Sequence, residues 1–485
     1  SDIKFKELIP LDFLHFESLF YSHEFHEHLF FLLTKFSQCN TEKLKLPLKQ
    51  QHFVPQKKNS FVTVSVVGSQ QWVDWAVAAT LSLKTFIQKI MKTNCGNASL
   101  YHSLTASKQF SVLHFFFSFQ KLYRPAYTSK YSKKTINRTF RFTEFVRLQK
   151  ISNDKLSFTE IASALAKLSM PQAYLEGFDE LSKASEEIFP SVPNIQIFSS
   201  TAQWNDDLFK RWLMQTKCLF NSDLFIYQHG GTYGTLRRKT HQENLARKIS
   251  TKFLTWGWDD STGSTLQLFA PSFFPLKKIL QPRKKRILVI LTRIKIFSRG
   301  DAWDSEDWNR EYLELLVNIA QLSSSITEHE IIFRLHPSQM SAGGFNFYDS
   351  LKTFIPNLQI DMIANMEKSI NLSSLVISTQ NSTVFLKALK SGTPTLGCWN
   401  SNLMAFSKSA EQDFNELEQL NIFFPSPENL ITHIVEIEKD IFGWWRRTTN
   451  DSRYSNFLNK YYQGFTFRKY LNWLNQPQRA TKFIP

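Results

Sequence analysis

The chain has 485 residues, 42% of them hydrophobic, enough for two large domains or three average ones with a substantial core. A net charge of +16 predicts attraction to polyanions, whether nucleic acid, an anionic membrane surface or phosphorylated small molecules. Four dispersed cysteines (Cys39, Cys95, Cys218, Cys398) argue against a disulfide scaffold and form no CxxC or Cys/His zinc pattern.

Lys4, Lys6 and Glu7 interrupt any apolar leader, and the longest apolar stretches, such as residues 110–119, are too short to span a bilayer. A cytoplasmic protein, at most peripheral on the inner face of the membrane, is expected. "HEFHEHLFFLLTKF" reads as an amphipathic helix, and a basic, Pro-containing linker follows. "FVTVSVVG" (61–68) is a β-branched run ending in glycine before the helical "WVDWAVAATLSLKTFIQKI", a strand–turn–helix unit. Residues 121–150 carry nine Lys/Arg and one acid, with aromatics between them. That is either a solvated basic face or a patch for anionic lipid or a phosphate-linked acceptor. "SFTE" fits a capping box from Ser157 to Glu160. "NIQIFSS" (194–200) reads as a strand, "DDLFKRWLMQTKCLF" (206–220) as a helix, and "SDLFIYQ" as a short buried strand.

Prolines and a basic run at residues 270–286 mark a linker. Strands and helices then alternate: "ILVILT", "WNREYLELLVNIAQLS", "EIIFRLHP", "YDSLKTFI", "LQID", "MEKSINLS", "SLVIST", "STVFLKALKSG" and "TPTLGCW". This spacing predicts a doubly wound parallel sheet. The expected organisation is an N-terminal α/β domain over 1–275, a linker over 276–286, a Rossmann-like domain over 287–435 and terminal helices over 436–485. Two Rossmann-type domains facing a cleft, with terminal helical extensions, constitute an α/β, GT-B-like architecture.

Ligands of open parallel sheets bind outside the carboxyl ends of strands. There the second domain places Arg293, then Arg334, His336 and Pro337, then Ser378 and Thr379 before a helix opening at Ser382-Thr383. A Ser/Thr-rich helix N-terminus beside a cation is a phosphate cradle. Ser382 alone also reads as a helix cap, and His336 alone as a turn histidine. In the first domain, "YQHGGTYG" spends three glycines in a chain holding only 15. After a strand, such a cluster means a tight turn or a close approach of backbone to a ligand.

The "HP" at a strand end followed by a Ser/Thr pair resembles the CMP-binding motifs of bacterial sialyltransferases and Kdo transferases. "PQAYLEGFDEL" (171–181), "YQHGGTYG" (227–234) and "FLTWGWDD" (253–260), in that order, resemble a bacterial family of surface-carbohydrate transferases related to the retaining β-Kdo transferases. The resemblance covers about residues 160–400. It implies a CMP-activated ulosonic sugar (Kdo or a nine-carbon relative) as donor, a glycan acceptor, and neither metal nor resident cofactor. It also implies a carboxylate nucleophile and a covalent adduct.

Loss of CMP builds positive charge on the sugar and negative charge on the phosphate, which calls for donors at the phosphate and a carboxylate at the anomeric centre. Glu176 is the candidate acid/base; it also reads as a surface glutamate capping "FDELSKA". His229, with the backbone of Gly230 and Gly231, suits a sugar carboxylate or hydroxyls, and Tyr233 is placed to close over the sugar. Relatives carry an acid shortly before "WGW"; here Ser250, Thr251 and Lys252 stand there, leaving Glu243 upstream and Asp259 downstream as candidate nucleophiles. Two alternatives fit the same composition: a transferase using a UDP- or GDP-hexose, or a basic nucleic-acid-binding protein. No helix-turn-helix, zinc-finger or RNP signature supports the latter, and no nucleic-acid partner is expected.

Overall fold

The computed structural model describes residues 98–102, 121–123, 178–189, 195–220, 222–270, 284–292, 306–336 and 347–466. The 61–68 strand–turn–helix unit, nearly all of the basic segment, the Ser157 capping box, Glu176, Arg293 and Pro337 lie outside them.

Two parallel sheets organise the chain. The first joins β1 (Ala98–His102), β2 (Lys121–Tyr123), β3 (Gln196–Ser199), β4 (Asp223–Tyr227), β5 (Lys252–Thr255) and β6 (Thr265–Gln267) in the order β2-β1-β3-β4-β5-β6. The second joins β7 (Lys284–Ile290), β8 (Glu330–Arg334), β9 (Ser373–Ser378), β10 (Thr395–Cys398) and β11 (Phe423–Phe424) in the order β11-β10-β9-β7-β8. Counted within each sheet, the first strand sits between the second and the third. The order therefore reverses between β1 and β3, and again between β7 and β9, and ligand crevices form at such switch points. This is the α/β, GT-B-like pair of Rossmann-type domains that the sequence predicts. One continuous apolar core runs through both halves, with aromatic contacts such as Phe198 on Phe225 at 5.0 Å and Phe406 on Phe414 at 4.0 Å between centroids.

The helices that matter for the junction are α1 (Phe178–Ile188), α2 (Ala202–Asn205), α3 (Asp207–Phe220) and α4 (His241–Ile249) in the first half. The second half adds α5 (Glu306–Gln321), α6 (Phe347–Phe354), α7 (Met366–Leu372), α8 (Thr383–Ser391), α9 (Lys408–Gln419), α10 (Pro427–Ile437), α11 (Ile441–Thr449) and α12 (Ser452–Tyr461). Among the described residues no helix is long and apolar enough to cross a membrane.

Two details differ from the sequence expectation. β7 begins at Lys284, inside the expected linker. "LQID" forms no strand of its own: Ile360 makes one parallel bridge to Phe333, and the next residue, Asp361, turns inward to Arg286 and Arg334. That buried ion cluster ends the pairing, because a carboxylate between two guanidinium groups must leave the ladder direction to meet them.

After α12 the chain returns to the first sheet. Gln463 donates its backbone N–H to Trp256 O and accepts from Ala270 N, both at 2.8 Å, and Tyr462 packs edge-on against Trp256 at 5.5 Å. The terminal segment thereby ties the two halves together.

Candidate active site

β4 ends in an apolar, buried run, and the glycine-rich loop leaves its carboxyl end. Gln228 organises that loop. Its amide oxygen accepts from Trp256 N at 3.0 Å and from Trp258 Nε1 at 2.8 Å, and its amide nitrogen donates to Gly230 O at 2.7 Å. The "QHGG" and "WGW" motifs are thus one hydrogen-bonded unit. Gln228 is 1% exposed, and the sequence reading missed it. The available signal was a lone amide between an apolar strand and a glycine pair, where a buried amide needs several partners.

The glycines have separate reasons. Gly234 has φ +79°, and a Cβ there would overlap the Trp258 ring at 2.4 Å. At Gly231 a Cβ would lie 2.6 Å from the carbonyl carbon of Ser382 and 2.7 Å from Thr383 N. The backbone N–H of Gly231 donates to Thr383 Oγ1 at 3.1 Å. The loop after β4 therefore lies on the N-terminus of α8, which follows β9, and the carboxyl ends of the two sheets meet at that point. Further contacts pin the junction: Asn381 Nδ2 donates to Thr235 Oγ1 at 2.8 Å, Ser407 N to Thr235 O at 2.8 Å and Arg237 N to Ala405 O at 2.8 Å.

His229 is exposed at this junction. The protein packed around the rest of its ring nevertheless lowers its pKa below the usual 6.5, so the imidazole is neutral at pH 7. Gly230 beside it has room: a Cβ would meet Tyr233 and Thr232 side-chain atoms at no less than an ordinary 3.7 Å.

Tyr233, expected to close over the sugar, lies in the core under the loop. It is 5% exposed, its ring is 6.0 Å from Phe253, and burial raises its pKa. Its apolar body completes the core under the loop, so closure over a ligand would require leaving that core.

Glu243 is likewise turned inward, at 1% exposure. Thr240 caps α4 by accepting from Glu243 N at 3.0 Å, a Thr-x-x-Glu pattern. Glu243 Oε1 accepts from Gly234 N and from Arg247 Nη1, each at 3.3 Å, while Oε2 has no partner. Burial raises its pKa, opposed by Arg247 and the Gly234 N–H. Arg247 also pairs with Asp260. As placed, Glu243 braces the loop from behind, and no substrate carbon reaches it without moving the loop. Asp259 is exposed and holds a turn, accepting from Ser261 N at 3.2 Å and Thr265 Oγ1 at 2.5 Å.

The expected phosphate cradle is largely spoken for by the protein. Arg334 is 9% exposed, and its guanidinium donates to Asp361 Oδ2 at 2.5 Å and to Ile363 O at 2.6 Å. Ser378 Oγ donates to Gln380 O at 2.9 Å, and Thr379 Oγ1 to Ile290 O at 2.9 Å. Ser382 is a helix cap, its Oγ accepting from Phe385 N at 3.3 Å. Thr383 takes the Gly231 N–H. Arg334 Nη1 and Nη2 and the hydroxyls of Ser378 and Thr379 each donate to a protein acceptor in this arrangement, while Arg334 Nε has no partner. His336 is exposed at the end of β8, two strands from β9 and so about 10 Å away in the sheet.

On the other side of Thr379, at the carboxyl ends of β9, β10 and β11, a cavity of about 420 Å³ opens between Tyr312, Trp399, Asn400 and Glu428. The sequence reading did not single out these residues. The strand end "TPTLGCWN" and the proline-started helix after "FFPSP" are the signals that mark it.

A family model described as LIC12162 family transferase matches residues 3–474. No curated protein matches the chain significantly. Among solved structures, the chain is similar to accessory secretory protein 1, 2 and 3 of Streptococcus pneumoniae, at 10% identity and a TM-score of 0.30. That match covers 60% of this chain and 50% of the other, so the chain spans about half the length of that relative. It is also similar to UDP-GlcNAc 2-epimerase from Neisseria meningitidis bound to UDP-GlcNAc, at 10% identity and a TM-score of 0.43, over 78% of this chain and 98% of the other. A third likeness is to Staphylococcus aureus MnaA with UDP, at 8% identity and a TM-score of 0.42, over 80% of this chain and all of the other.

Proposed function

The chain belongs to the LIC12162 family of transferases, and from that premise we propose that it is a glycosyltransferase. It moves an acidic ulosonic sugar from a CMP-activated donor to a surface-glycan acceptor, without a metal. The observation that carries the reading is the meeting of the "QHGG" loop with the N-terminus of α8. A neutral, exposed imidazole and closely packed glycine backbone from one sheet face a helix N-terminus from the other. Reactions that separate charge between a sugar and a phosphate need donors on both sides of the breaking bond.

In this reading the phosphate lies beside the α8 N-terminus, where the helix dipole opposes its growing negative charge. His336 approaches from β8. His229 hydrogen-bonds the sugar carboxylate or hydroxyls, assisted by the Gly230 backbone. Glu176, the candidate from its apolar sequence setting, is the acid/base that takes the acceptor's proton. Glu243 holds the loop that presents His229. Basic residues 121–150 favour an anionic membrane surface or a phosphate-linked acceptor.

The test is release of CMP when the protein is mixed with a CMP-ulosonic donor and a surface-glycan acceptor in EDTA. Release that depends on acceptor supports the reading. Release only from UDP- or GDP-hexoses keeps the transferase and replaces the donor.

A further inference from the structure

The buried side-chain amide of Gln228 has three partners, and each allows one sense of bonding. The Trp256 backbone N–H and the Trp258 indole N–H only donate, so Oε1 faces them, at 3.0 and 2.8 Å. The Gly230 carbonyl only accepts, so Nε2 faces it, at 2.7 Å. Turning the amide over would set like against like at all three, which fixes its orientation. The backbone N–H of Gln228 donates to Leu254 O at 2.8 Å and ties the residue to β5.

The consequence lies in the peptide group between Gly230 and Gly231. That peptide is trans, so its carbonyl and its N–H point in opposite directions from one plane. Gln228 holds the carbonyl edge, and the N–H edge donates to Thr383 Oγ1 at 3.1 Å. Thr383 is half-buried at the first position of α8, and its own hydroxyl proton has no acceptor among the described residues. A hydroxyl that already accepts one N–H directs its proton elsewhere. On the near side, the bond from Nε2 to Gly230 O closes a short ring around the backbone of His229. Gly231 is wedged against α8, but Gly230 has room, so packing alone does not orient the carbonyl between them. A glycine backbone with room has many conformations of similar energy, and the ring removes that choice beside His229.

We propose that Gln228 is the positioning residue of the site: through one peptide group it sets His229 on the sugar side and the Thr383 hydroxyl on the phosphate side. It touches neither sugar nor phosphate. Both donors hold their directions before the ligand arrives, and preorganised donors stabilise developing charge without reorganising. The support of Gln228 extends to the end of the chain. Trp256, which donates to it, receives the Gln463 N–H on its carbonyl at 2.8 Å, so the segment after α12 braces the same amide. This role rests on the reading of the protein as a nucleotide-sugar transferase.

The experiment compares the full chain with two variants. Gln228→Met keeps the length of the side chain and loses both polar atoms. Gln228→Glu, at about pH 8, keeps an acceptor for both tryptophans and offers Gly230 no donor. Three quantities are read in each: amide exchange at Gly231 and Thr251 by NMR, CMP affinity, and turnover of a CMP-ulosonic donor with a surface-glycan acceptor. Thr251 N donates to Leu224 O and reports whether the first sheet is intact. In both variants Gly231 exchange should speed up by about 10-fold, the worth of one neutral hydrogen bond, with Thr251 unchanged. CMP affinity should fall by no more than about 10-fold on the same ground, while turnover falls by about 10²-fold, the cost of misplaced reacting groups. If Gln228→Met fails to fold, Gln228→Glu decides. Unchanged Gly231 exchange in folded variants, or faster exchange with unchanged turnover, overturns the positioning role and leaves the CMP reading standing. Turnover of a UDP- or GDP-hexose in place of the CMP donor, lowered in the same variants, upholds the role of Gln228 and overturns the CMP reading. A wild type that turns over none of these donors overturns both.

Discussion

The backbone N–H of Gly231 donates to the hydroxyl of Thr383 at 3.1 Å, across 152 positions of sequence. The hydrogen bond joins the turn after β4 to the first residue of α8, and a side chain at 231 has no space beside Ser382. Gly231→Ala must push two backbones apart and should destabilise the protein by about 1–3 kcal/mol, as overpacking does. Thr383→Val, which removes only the acceptor, should cost about 0.5–1.5 kcal/mol. Urea unfolding measures both, and an alanine variant of wild-type stability would mean the two segments do not touch.

His229 is an exposed titratable group at that junction. Replacement by alanine, which removes the donor to the sugar, should lower turnover by about 10²–10³-fold with nucleotide affinity unchanged. Its pKa is held below 6.5, so the neutral form persists as the solution is acidified. The acid limb of the rate profile should accordingly fall below pH 6.5. A limb centred above 6.5 would assign the titration to another group.

Glu243 carries a pKa raised by burial. The native state therefore holds this proton more tightly than the unfolded chain. Stability from this group is greatest below the unfolded value near 4.5 and declines as pH rises through the higher folded value. Glu243→Gln cannot titrate, so unfolding curves from pH 4 to 7 should show wild type losing stability relative to the variant. Turnover of the amide variant should stay within about 10-fold of wild type, because the residue braces the loop and does not perform proton transfer, whose loss costs 10²–10⁴-fold. A sugar adduct found on Glu243 by intact mass spectrometry would contradict that assignment.

Asp361 sits between Arg286 and Arg334. Burial alone would raise its pKa, but the Ser369 hydroxyl, Arg334 and the Ile363 N–H together hold it below 3.8. Here the sign is opposite: the stabilisation is present above the unfolded value near 3.8 and is lost as pH falls through the folded one. Asp361→Asn leaves two buried guanidinium groups without their carboxylate and should cost about 3–5 kcal/mol; Arg334→Ala, which leaves Asp361 with Arg286, should cost less. Nucleotide affinity, measured where the variants remain folded, should change less than about 2-fold, since a neutral hydrogen bond to the ligand would already exceed that. A larger loss would return Arg334 to the phosphate.

The alternating α/β pattern was legible because strands buried on both faces and amphipathic helices each leave a local period. "NIQIFSS" and "SLVIST" fall within a residue or two of β3 and β9, and Ser382 is the cap that its position before α8 suggests. The motifs were legible too, but their duties were not. Nothing local says that Gln228 holds two tryptophans, that Tyr233 and Glu243 point inward, or that Arg334 spends its charge on Asp361. Those duties depend on partners 10 to 30 residues away or more. The two-residue β11 and the cavity beside it had no periodic signal at all, since they arise where three strand ends and two helices come together.

The central claim, a CMP-dependent transferase, is tested most directly by thermal shift against CMP, UDP, GDP and ADP in the presence of EDTA. At about 100 times its dissociation constant a ligand specific to the native state stabilises by about 2.7 kcal/mol. The account predicts that CMP alone raises the midpoint by that margin and that EDTA leaves the shift unchanged. A shift with UDP and none with CMP would contradict it.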